Sequence, residues 1–388
     1  MFNFTHNFWR SKKRNAAREF YIQRPLVLLQ SDDWGRVGVR DQEGYEIIRA
    51  AGVRLGEHPY DFYTLETSDD LNALRDMLKR HRDSTGRSAC IVMNFVMGNL
   101  DFGQMSGNRF EKINILPLTH GLPGNWERRG LLPAYQSGID DEVFFPALHG
   151  LTHFCQTAME HALAKNSQRA DLLRILWRAE TPYIHWRMPW VGYEYCNPEK
   201  PRAGFLSAEK QLKLIEEAVN IFKKLFSRSP VSACAPGYRA NRDTHLAWSK
   251  CGIRVAQNGS GAPAPLHIDE FEILNLHRTI DFEPSQKDLP VEKYLQLAEG
   301  CFARGVPAVI SVHSINFHSS LKDFRGPTIQ ALDQFLTALE TKFPNLLYIH
   351  DGDAHDIVTQ GKFRGGRGMV SVSVTYRETA TRVAGKRR

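Results

Sequence analysis

Three short apolar runs, each ending in acidic or histidine side chains, constrain this chain more than any other feature of its sequence. The runs and the residues that end them are 25–31 with Asp32 and Asp33, 143–148 with His149, and 307–312 with His313. An apolar run of this length is typical of a strand buried on both faces of a parallel sheet. The side chains that follow are therefore expected at the carboxyl ends of the strands, where α/β enzymes carry out their chemistry.

The first run ends in two adjacent acids, Asp32 and Asp33. Neighbouring carboxylates repel one another unless a cation lies between or beside them, and adjacent side chains of an extended backbone point in opposite directions. One acid can ligate a metal ion while the other stays free to accept a proton, a division of roles found where two carboxylates differ in environment. The alternative is an ordinary strand-end turn, in which Asp bonds its own backbone.

The second run ends in a histidine pair, His149 and His153. Two imidazoles at this spacing lie on one face if the chain is helical there, and can then hold one cation together. The chain has 15 histidines, so a pair at this spacing can arise by chance, and its position at a strand exit is what makes it informative.

For His313, at the end of the third run, a hydrogen-bonded structural role is the alternative to a catalytic one.

In chain order these segments resemble the motifs of the polysaccharide deacetylase superfamily, also called carbohydrate esterase family 4. That family has T-F-D-D-G, H-[ST]-x-x-H, R-x-P and Leu-His segments. The matching segments here are Gln30-Ser31-Asp32-Asp33-Trp34-Gly35, His149-Gly150-Leu151-Thr152-His153, Cys234-Ala235-Pro236 and Ser311-Val312-His313. The resemblance covers residues from about 25 to about 353. It implies a distorted (β/α) barrel of the α/β class, built as a single domain with irregular insertions.

The resemblance also implies a role for each matched residue. Asp32 is expected to be the general base and His313 the general acid, and Asp33, His149 and His153 are expected to ligate a divalent metal ion. Zn²⁺ is the default for a site of two histidines and one aspartate that performs no redox chemistry, and the ligand types also permit Fe²⁺, Co²⁺ or Ni²⁺.

Two departures place the chain in a divergent branch of that superfamily. Gly150 stands where the family usually has Ser or Thr, and Cys234 stands where the family has the arginine that orients the base. Arg239 is the first candidate for that missing catalytic guanidinium and Arg278 the second, because a guanidinium can reach a carboxylate from several residues away with bidentate geometry.

Further residues are expected to bind substrate at the mouth of the barrel. Trp34, beside the two acids, is predicted to stack on a sugar ring. Backbone N–H groups near Gly237 and Tyr238 are predicted to bind the oxyanion that develops during acyl transfer. The other expected substrate-binding residues are Asn99, Arg278 and Asn316. The aromatic-rich stretch 183–195 is either a substrate-facing insertion or a cover over the flank of the barrel.

Together these features predict a metal-dependent deacetylase that removes an acyl group, an N-acetyl group in the first instance, from a sugar or glycan precursor. Such an enzyme hydrolyses C–N bonds other than peptide bonds. Three alternatives remain open at this point: an O-acyl esterase, a cyclic-amide hydrolase on the same scaffold, and a glycan-binding pseudoenzyme that has lost turnover.

The net charge of +7 is concentrated at the two ends of the chain. A basic and aromatic segment at 1–24 and a basic tail at 361–388 flank the predicted barrel at 25–360, whose own net charge is negative. An acidic body argues against a basic groove for nucleic acid. Such ends are typical of solvated tails, with weak peripheral contact to an anionic membrane as the alternative. The oligomeric state stays open.

Cysteine usage and hydropathy suggest a compartment. The six cysteines contain no C-x-x-C pair, and neither a secretory signal nor a long apolar span is present in the sequence, so the chain is predicted to be cytoplasmic.

Helical periodicity predicts a helix beginning near Ser68, a single helix over 158–178, and a third over 208–226 behind the cap Ser207. The segment 103–138, rich in Gly, Pro and Asn, is predicted to be an irregular insertion.

Overall fold

The computed structural model describes residues 17–199, 204–287 and 289–379. The strands are β1 (Ala17–Ile22), β2 (Leu26–Trp34), β3 (Ile91–Phe95), β4 (Gly98–Leu100), β5 (Ile115–Pro117), β6 (Phe144–Leu148), β7 (Ser232–Cys234), β8 (Val255–Asn258), β9 (Leu266–Ile268), β10 (Leu274–His277), β11 (Ile280–Asp281), β12 (Ala308–His313), β13 (Leu347–Tyr348), β14 (Lys362–Gly365), β15 (Gly368–Ser371) and β16 (Val374–Thr379). The helices are α1 (Gln42–Ala50), α2 (Ser68–Arg80), α3 (Phe102–Gly107), α4 (Leu131–Asp140), α5 (Gln156–Ala164), α6 (Gln168–Arg178), α7 (Ala208–Phe226), α8 (Arg242–Lys250), α9 (Val291–Phe302), α10 (Arg325–Lys342) and α11 (Asp351–Gln360).

One twelve-stranded sheet organises the described part of the chain. Its order is β11-β12-β2-β3-β6-β7-β8-β10-β9-β1-β16, and β13 pairs with the start of β2. The pairs from β11 to β10 are parallel, whereas β9, β1 and β16 extend the sheet with antiparallel pairs. Helices separate most of the parallel strands in sequence. The predicted α/β class and distorted (β/α) barrel are confirmed.

The three apolar runs form central strands of this sheet, as predicted. All nine residues of β2 are buried, and β12, β2, β3 and β6 are successive neighbours. Because these strands run parallel, the residues after them meet at one edge of the sheet. In the ladder between β12 and β2, His313 lies directly beside Asp32.

The helix predictions succeed where one apolar face is continuous. The helix α7 begins after the cap Ser207 and buries Ile215, Ala218 and Phe222, as predicted. The helix near 68 is capped by Thr67, one residue before the predicted cap, through a capping box with Asp70.

The prediction of a single helix over 158–178 is wrong. The chain forms α5 and α6 instead, and Asn166 between them takes φ +44°. Asn tolerates this left-handed conformation better than most residues, and it stops the first helix. The segment 103–138 is also more regular than predicted, because it holds α3, β5 and the start of α4.

The ends of the described chain belong to the sheet. The strand β16 pairs with β1 over six residues, and β1 also pairs with β9. Phe20, Ile22, Phe363 and Val372 are buried in one apolar cluster. The parts of the two predicted tails at 17–22 and 362–379 therefore contain strands, although most side chains of 364–378 are exposed to solvent. The predicted membrane contact involves residues 1–16 and 380–388, which lie outside the described residues. Among the described helices, none combines the length and the hydropathy needed to span a bilayer.

Candidate active site

A β-bulge turns both predicted acids toward the same pocket. Ser31 pairs with Met93 and Trp34 pairs with Phe95, so Asp32 and Asp33 together face one residue of β3. Asp33 takes φ +76°, and the Tyr63 hydroxyl donates a hydrogen bond of 2.8 Å to its carbonyl oxygen. The extra residue breaks the alternation that would send adjacent side chains of a strand to opposite faces. Both carboxylates therefore line one pocket.

The predicted metal ligands come together around Asp33. Its Oδ1 lies 3.6 Å from His149 Nε2 and 3.4 Å from His153 Nε2, and all three side chains are buried. The two histidines lie in an irregular turn between β6 and α5, so their approach does not depend on the helical spacing that the sequence left open. The residues predicted as ligands nevertheless come together.

The buried carboxylate of Glu194 holds this histidine turn in place. It accepts hydrogen bonds from the backbone N–H groups of Leu151 and Thr152, at 3.1 and 2.7 Å. Gly150 has φ +79°, and a Cβ on it would lie 2.2 Å from Glu194 Oε2. The glycine that departs from the family pattern is therefore required by both its backbone conformation and its neighbour. Burial raises the pKa of Glu194 to about 7, despite the N–H donors that it faces.

Hydrogen bonds to the other ring nitrogens select the tautomer of each histidine. His149 Nδ1 lies 2.9 Å from the Cys234 carbonyl oxygen. Because a carbonyl oxygen can only accept, this ring nitrogen is the donor. The Tyr183 hydroxyl donates its proton to the His153 carbonyl at 2.8 Å. The same hydroxyl lies 2.7 Å from His153 Nδ1, and since its own proton is already used, Nδ1 is the donor of this bond. When both rings are neutral, as metal ligands are, each Nε2 atom carries its lone pair on the side of Asp33, which is the arrangement found in protein metal sites. Without a metal ion, burial lowers the pKa of His149, but the two aspartates outweigh it and raise that pKa well above its usual range, so metal binding would displace a proton from this ring.

A second observation, independent of the histidine tautomers, also fits a divalent cation at this site. Asp33 Oδ1 is buried and has no hydrogen-bond partner in the described part of the chain. A buried carboxylate oxygen without a donor is costly, and a cation shared with the two imidazole nitrogens would satisfy it. The ligand atoms of Asp33, His149 and His153 all lie within 4.8 Å of one another.

The other oxygen of Asp33 is bound by a buried arginine that the sequence interpretation missed. Arg36 donates to Asp33 Oδ2 at 3.0 Å and to the Tyr183 hydroxyl at 2.7 Å, and its guanidinium lies over the Tyr63 ring. Burial raises the pKa of Asp33, but Arg36 and His153 outweigh it and hold that pKa well below its usual range. The only sequence signal for this role is the position of Arg36 three residues after the acid.

Asp32, the predicted base, is paired with Arg278. The guanidinium donates to both carboxylate oxygens, at 2.6 and 2.7 Å, and Asn94 and the Tyr238 hydroxyl donate at 2.7 and 2.9 Å. Burial raises the pKa of Asp32, but Arg278, His149 and His313 hold it far below its usual range. The carboxylate is thus ionised and fixed in orientation.

The first candidate for the missing arginine, Arg239, is wrong, and the second, Arg278, takes its place. Arg239 is exposed and lies over the Tyr193 ring, because the turn at Gly237, with φ +63°, directs the chain away from the pocket. Arg278 follows β10 and enters the same edge of the sheet. Its Nη2 lies 3.8 Å from Cys234 Sγ, so the small cysteine leaves the space that this guanidinium occupies.

Buried amides beneath Arg278 fix the orientation of the guanidinium that pairs with Asp32. Gln30 accepts from Arg278 Nε at 3.1 Å, and Gln257 accepts from Arg278 Nη2 at 3.0 Å. Both amides donate to Asp351, each at 2.7 Å. This network holds the guanidinium from below and leaves Arg278 no exposed surface, so its expected contact with substrate is wrong.

His313, the predicted acid, lies beside Asp32 at the end of β12. Its Nδ1 lies 2.6 Å from Glu283 Oε1, and its Nε2 lies 3.8 Å from Asp32 Oδ2. Burial lowers the pKa of His313, but Glu283 and the two aspartates outweigh it and raise the pKa to about 9. Asn316 is buried and donates to Glu283 at 2.6 Å, so it positions this carboxylate and does not contact substrate as expected.

Two other expected substrate contacts are wrong because the side chains are buried. Trp34 is fully buried and stacks on Phe317, since the residue after a bulge returns to the core face. Asn99 accepts from the Val37 N–H and donates to the Gly35 carbonyl, and so fixes the turn after β2.

The turn at Gly237 and Tyr238 does line the pocket, but one of its backbone donors is already used. Tyr238 donates its backbone N–H to the Ala235 carbonyl at 2.8 Å. Its hydroxyl reaches Asp32 and lies 3.4 Å from His313 Nε2. Tyr238 is therefore placed at the reacting groups by its side chain and not by its backbone.

The aromatic stretch 183–195 is divided between the flank of the barrel and the mouth of the pocket. Tyr183, Val191 and Tyr195 are buried against the barrel. Trp186 is 61% exposed at the mouth of the pocket with φ +65°, and its ring packs on His58 and His185. The pocket has a volume of about 410 Å³, within the range of small-molecule sites.

Neither a protein-family model nor a curated protein matches this chain. Solved structures do resemble it. A protein named as a polysaccharide deacetylase from Mycobacterium smegmatis is 11% identical with a TM-score of 0.46, over 87% of this chain and 90% of that one. A family 4 carbohydrate esterase from Streptomyces lividans, in complex with acetate, is 12% identical with a TM-score of 0.33, over 83% and 90%. A family 4 pseudoenzyme from Bacillus anthracis is 10% identical with a TM-score of 0.39, over 87% and 67%.

These neighbours are of the class that the sequence motifs resemble. At these identities the likeness is one of fold alone. The chemistry of this chain therefore depends on the residues of its own pocket.

Proposed function

We propose that this protein is a metal-dependent hydrolase that removes an N-acetyl group from a sugar or glycan precursor. The observation that carries the proposal is the separation of roles between adjacent acids. Asp33 presents an unbonded oxygen to two imidazole nitrogens, while Asp32 is held by Arg278 beside His313. A purely structural acid pair would not need both arrangements in one pocket.

Asp33, His149 and His153 would hold the metal ion, and two histidines with one carboxylate favour Zn²⁺ where no redox chemistry is performed. When bound, such an ion supplies Lewis acidity toward the acyl carbonyl and toward water. The remaining roles belong to side chains of this chain.

Asp32 acts as the general base in this proposal. Its carboxylate is ionised and fixed by two hydrogen bonds from Arg278, so it can accept a proton from a water molecule in the pocket without reorienting. Arg278 touches the base and not the substrate, and is a positioning residue.

His313 acts as the general acid. With a pKa of about 9 it is an imidazolium at neutral pH, and its Nε2 faces the same pocket as Asp32. It can therefore give a proton to the departing amine nitrogen, after which Glu283 accepts a hydrogen bond from the other ring nitrogen.

The mouth of the pocket supports a sugar as substrate. The exposed Trp186 ring provides the apolar face that sugar rings stack on, and Lys287, Gln286 and Ser260 line the same pocket with polar groups. All six cysteines are free thiols, which supports a protein of the reducing cytoplasm and hence a precursor substrate.

The test compares metal content and acetate release in the native protein and in Asp32→Asn. We expect about one equivalent of metal in both proteins, and a loss of about 10² to 10⁴ in kcat for the variant, because only the base is removed. Asp76→Asn is the matched control, since the Asp76 side chain is 62% exposed on α2 and outside the pocket. N-acetylated and O-acetylated sugars are tested in parallel to separate amide from ester hydrolysis.

Two outcomes would contradict the proposal. Native protein that releases no acetate from any sugar, while binding both metal and glycan, would favour the glycan-binding pseudoenzyme. Full activity in Asp32→Asn would remove the proposed base.

A further inference from the structure

His185 lines the catalytic pocket but belongs to none of the four motifs. Its side chain is half-buried, and neither of its ring nitrogens has a hydrogen-bond partner among the described residues. The other histidines of the pocket, His149, His153 and His313, each have a partner for one ring nitrogen. In this wall His185 is therefore the histidine whose nitrogens are available to a ligand.

The chain on both sides of His185 is anchored by buried hydrogen bonds. Two residues earlier, the Tyr183 hydroxyl accepts from Arg36 at 2.7 Å. Two residues later, Arg187 donates to both oxygens of the buried Asp61, at 3.0 and 2.8 Å. The segment between them is neither helix nor strand, yet these anchors set the position of His185 before substrate binds. A contact made by a side chain that is already ordered costs little conformational entropy.

Aromatic neighbours restrict the rotation of the imidazole. The Tyr60 ring lies 4.9 Å away between ring centres at an angle of 36°, and the Trp186 ring lies 5.4 Å away and nearly perpendicular. Neither contact uses a nitrogen of His185 as a donor or acceptor. An imidazole carries at least one N–H donor in either protonation state, and a hydroxyl oxygen can accept from it.

The distance from His185 to the proposed metal site indicates which part of a substrate it meets. The ring centres of His185 and His153 are 6.2 Å apart. A sugar ring between the two imidazoles would need contacts of about 3.5–4 Å on each side, or about 7 Å in all. No second sugar can therefore separate them, and the group that reaches His185 belongs to the sugar that carries the acyl group.

We propose that His185 is a specificity-determining residue that donates a hydrogen bond to a hydroxyl group of the acylated sugar. A donor held in place without a protein partner discriminates between substrates, because an analogue that lacks the hydroxyl leaves the donor unpaired. This inference rests on the proposed function for its substrate class, but sugar binding tests it without turnover.

The experiment measures kcat/KM for N-acetylglucosamine and for its 3-deoxy, 4-deoxy and 6-deoxy analogues in the native protein and in His185→Phe. Phenylalanine keeps the aromatic packing and removes the donor. We expect the native kcat/KM to fall about tenfold for one analogue. His185→Phe should show that loss already with the parent sugar, and no further loss with the same analogue. His161→Phe, which alters an exposed histidine on α5 outside the pocket, should keep the native pattern.

A second variant and the metal content separate a contact with sugar from an effect on the metal site. His185→Gln keeps an N–H donor and should recover part of the lost kcat/KM, and all variants should hold as much metal as the native protein. Loss of metal in His185→Phe would show that this histidine acts through the metal site, and would overturn the proposal.

Binding of the same sugars is measured by calorimetry in an Asp32→Asn background, which prevents hydrolysis. An affinity loss for one analogue that disappears with His185→Phe supports the contact even if the native protein shows no turnover, and in that case only the proposed hydrolase fails. Turnover with the same ratio of kcat/KM between the parent sugar and every analogue in native protein and His185→Phe would overturn the contact and leave the hydrolase standing.

Discussion

At the scale of single residues, two arginines give two adjacent carboxylates different hydrogen-bonding environments. Arg278 binds both oxygens of Asp32, whereas Arg36 binds only one oxygen of Asp33 and leaves the other facing the histidines. Identical side chains one position apart thus acquire different roles through different neighbours. The motif was enough to name Asp32 as the candidate base, but neither arginine could be assigned from spacing alone.

Glu283 is expected to set the alkaline limit of activity through His313. Because the folded pKa of His313, about 9, lies above its usual 6.5, the proton on this ring stabilises the fold. That contribution is complete below pH 6.5 and is lost as the pH rises through about 9. If the imidazolium is the acid, native kcat should fall above about pH 9 by the same titration.

The Glu283→Gln variant tests this assignment through the pH dependence of kcat. Loss of the carboxylate lowers the pKa of His313, so the alkaline limb should move to lower pH. Glu292→Gln, which removes an exposed carboxylate on α9, should leave the limb in place. An alkaline limb at the same pH in native protein and Glu283→Gln would show that His313 is not the titrating acid.

At the scale of elements, irregular backbone brings the ligands together. The bulge in β2 and the turn after β6 both contain residues with positive φ, Asp33 and Gly150. The conformation is strained at Asp33, where the hydrogen bond from Tyr63 holds it. Gly150 adopts it without strain because it has no Cβ, and Glu194 fixes the turn around it. From the sequence, a helical turn was the condition under which the histidine pair could share a face, because spacing alone does not reveal a loop held by a distant carboxylate.

Gly150→Ala is expected to destabilise the histidine turn and to weaken metal binding. The new Cβ meets Glu194 Oε2 at 2.2 Å in addition to the cost of φ +79°. Gly252→Ala is the matched control, since Gly252 has φ +84° and a Cβ added to it would have no neighbour within 4 Å among the described residues. Denaturant unfolding should show a loss of about 1–2 kcal/mol for the control and at least about 1 kcal/mol more for Gly150→Ala.

The second measurement on Gly150→Ala and Gly252→Ala is their metal content after dialysis. We expect full metal in Gly252→Ala and reduced metal in Gly150→Ala. Equal stability and equal metal content in the two variants would show that Glu194 does not hold the turn.

At the scale of the whole molecule, the sheet joins the two ends of the described chain. Six residue pairs connect β1 to β16, and the Phe20 and Tyr376 rings lie 6.5 Å apart. This antiparallel extension lies beyond β9, away from the edge where β12, β2, β3 and β6 present the candidate site. Stability and catalysis are therefore expected to separate in this part of the fold.

A truncation that removes residues 373–388 tests that separation. The variant loses β16 and leaves β1 with an unpaired edge, so Tm should fall by about 5 °C or more relative to a variant that lacks only 380–388 and keeps β16. The kcat of the two truncations should agree within about twofold, since no pocket residue is removed. Equal Tm values would show that β16 adds nothing to the fold.

The sequence by itself determined the α/β class, the central strands and which residues form the candidate metal-ligand cluster. Apolar runs form buried strands, and parallel strands bring the residues that follow them to one edge, so Asp33, His149, His153 and His313 could be placed together without coordinates. These features depend on local composition and on one rule of sheet geometry.

Only the tertiary structure decided which side chains face the pocket and which partners they have. A bulge buried Trp34, and a turn placed Arg239 over the Tyr193 ring and away from Asp32. The space beside Cys234 admitted Arg278, which follows a strand more than 200 residues after Asp32. The direction of a side chain after a bulge or turn depends on packing against distant segments. No local pattern encodes that packing, because each contact is between residues far apart in the chain.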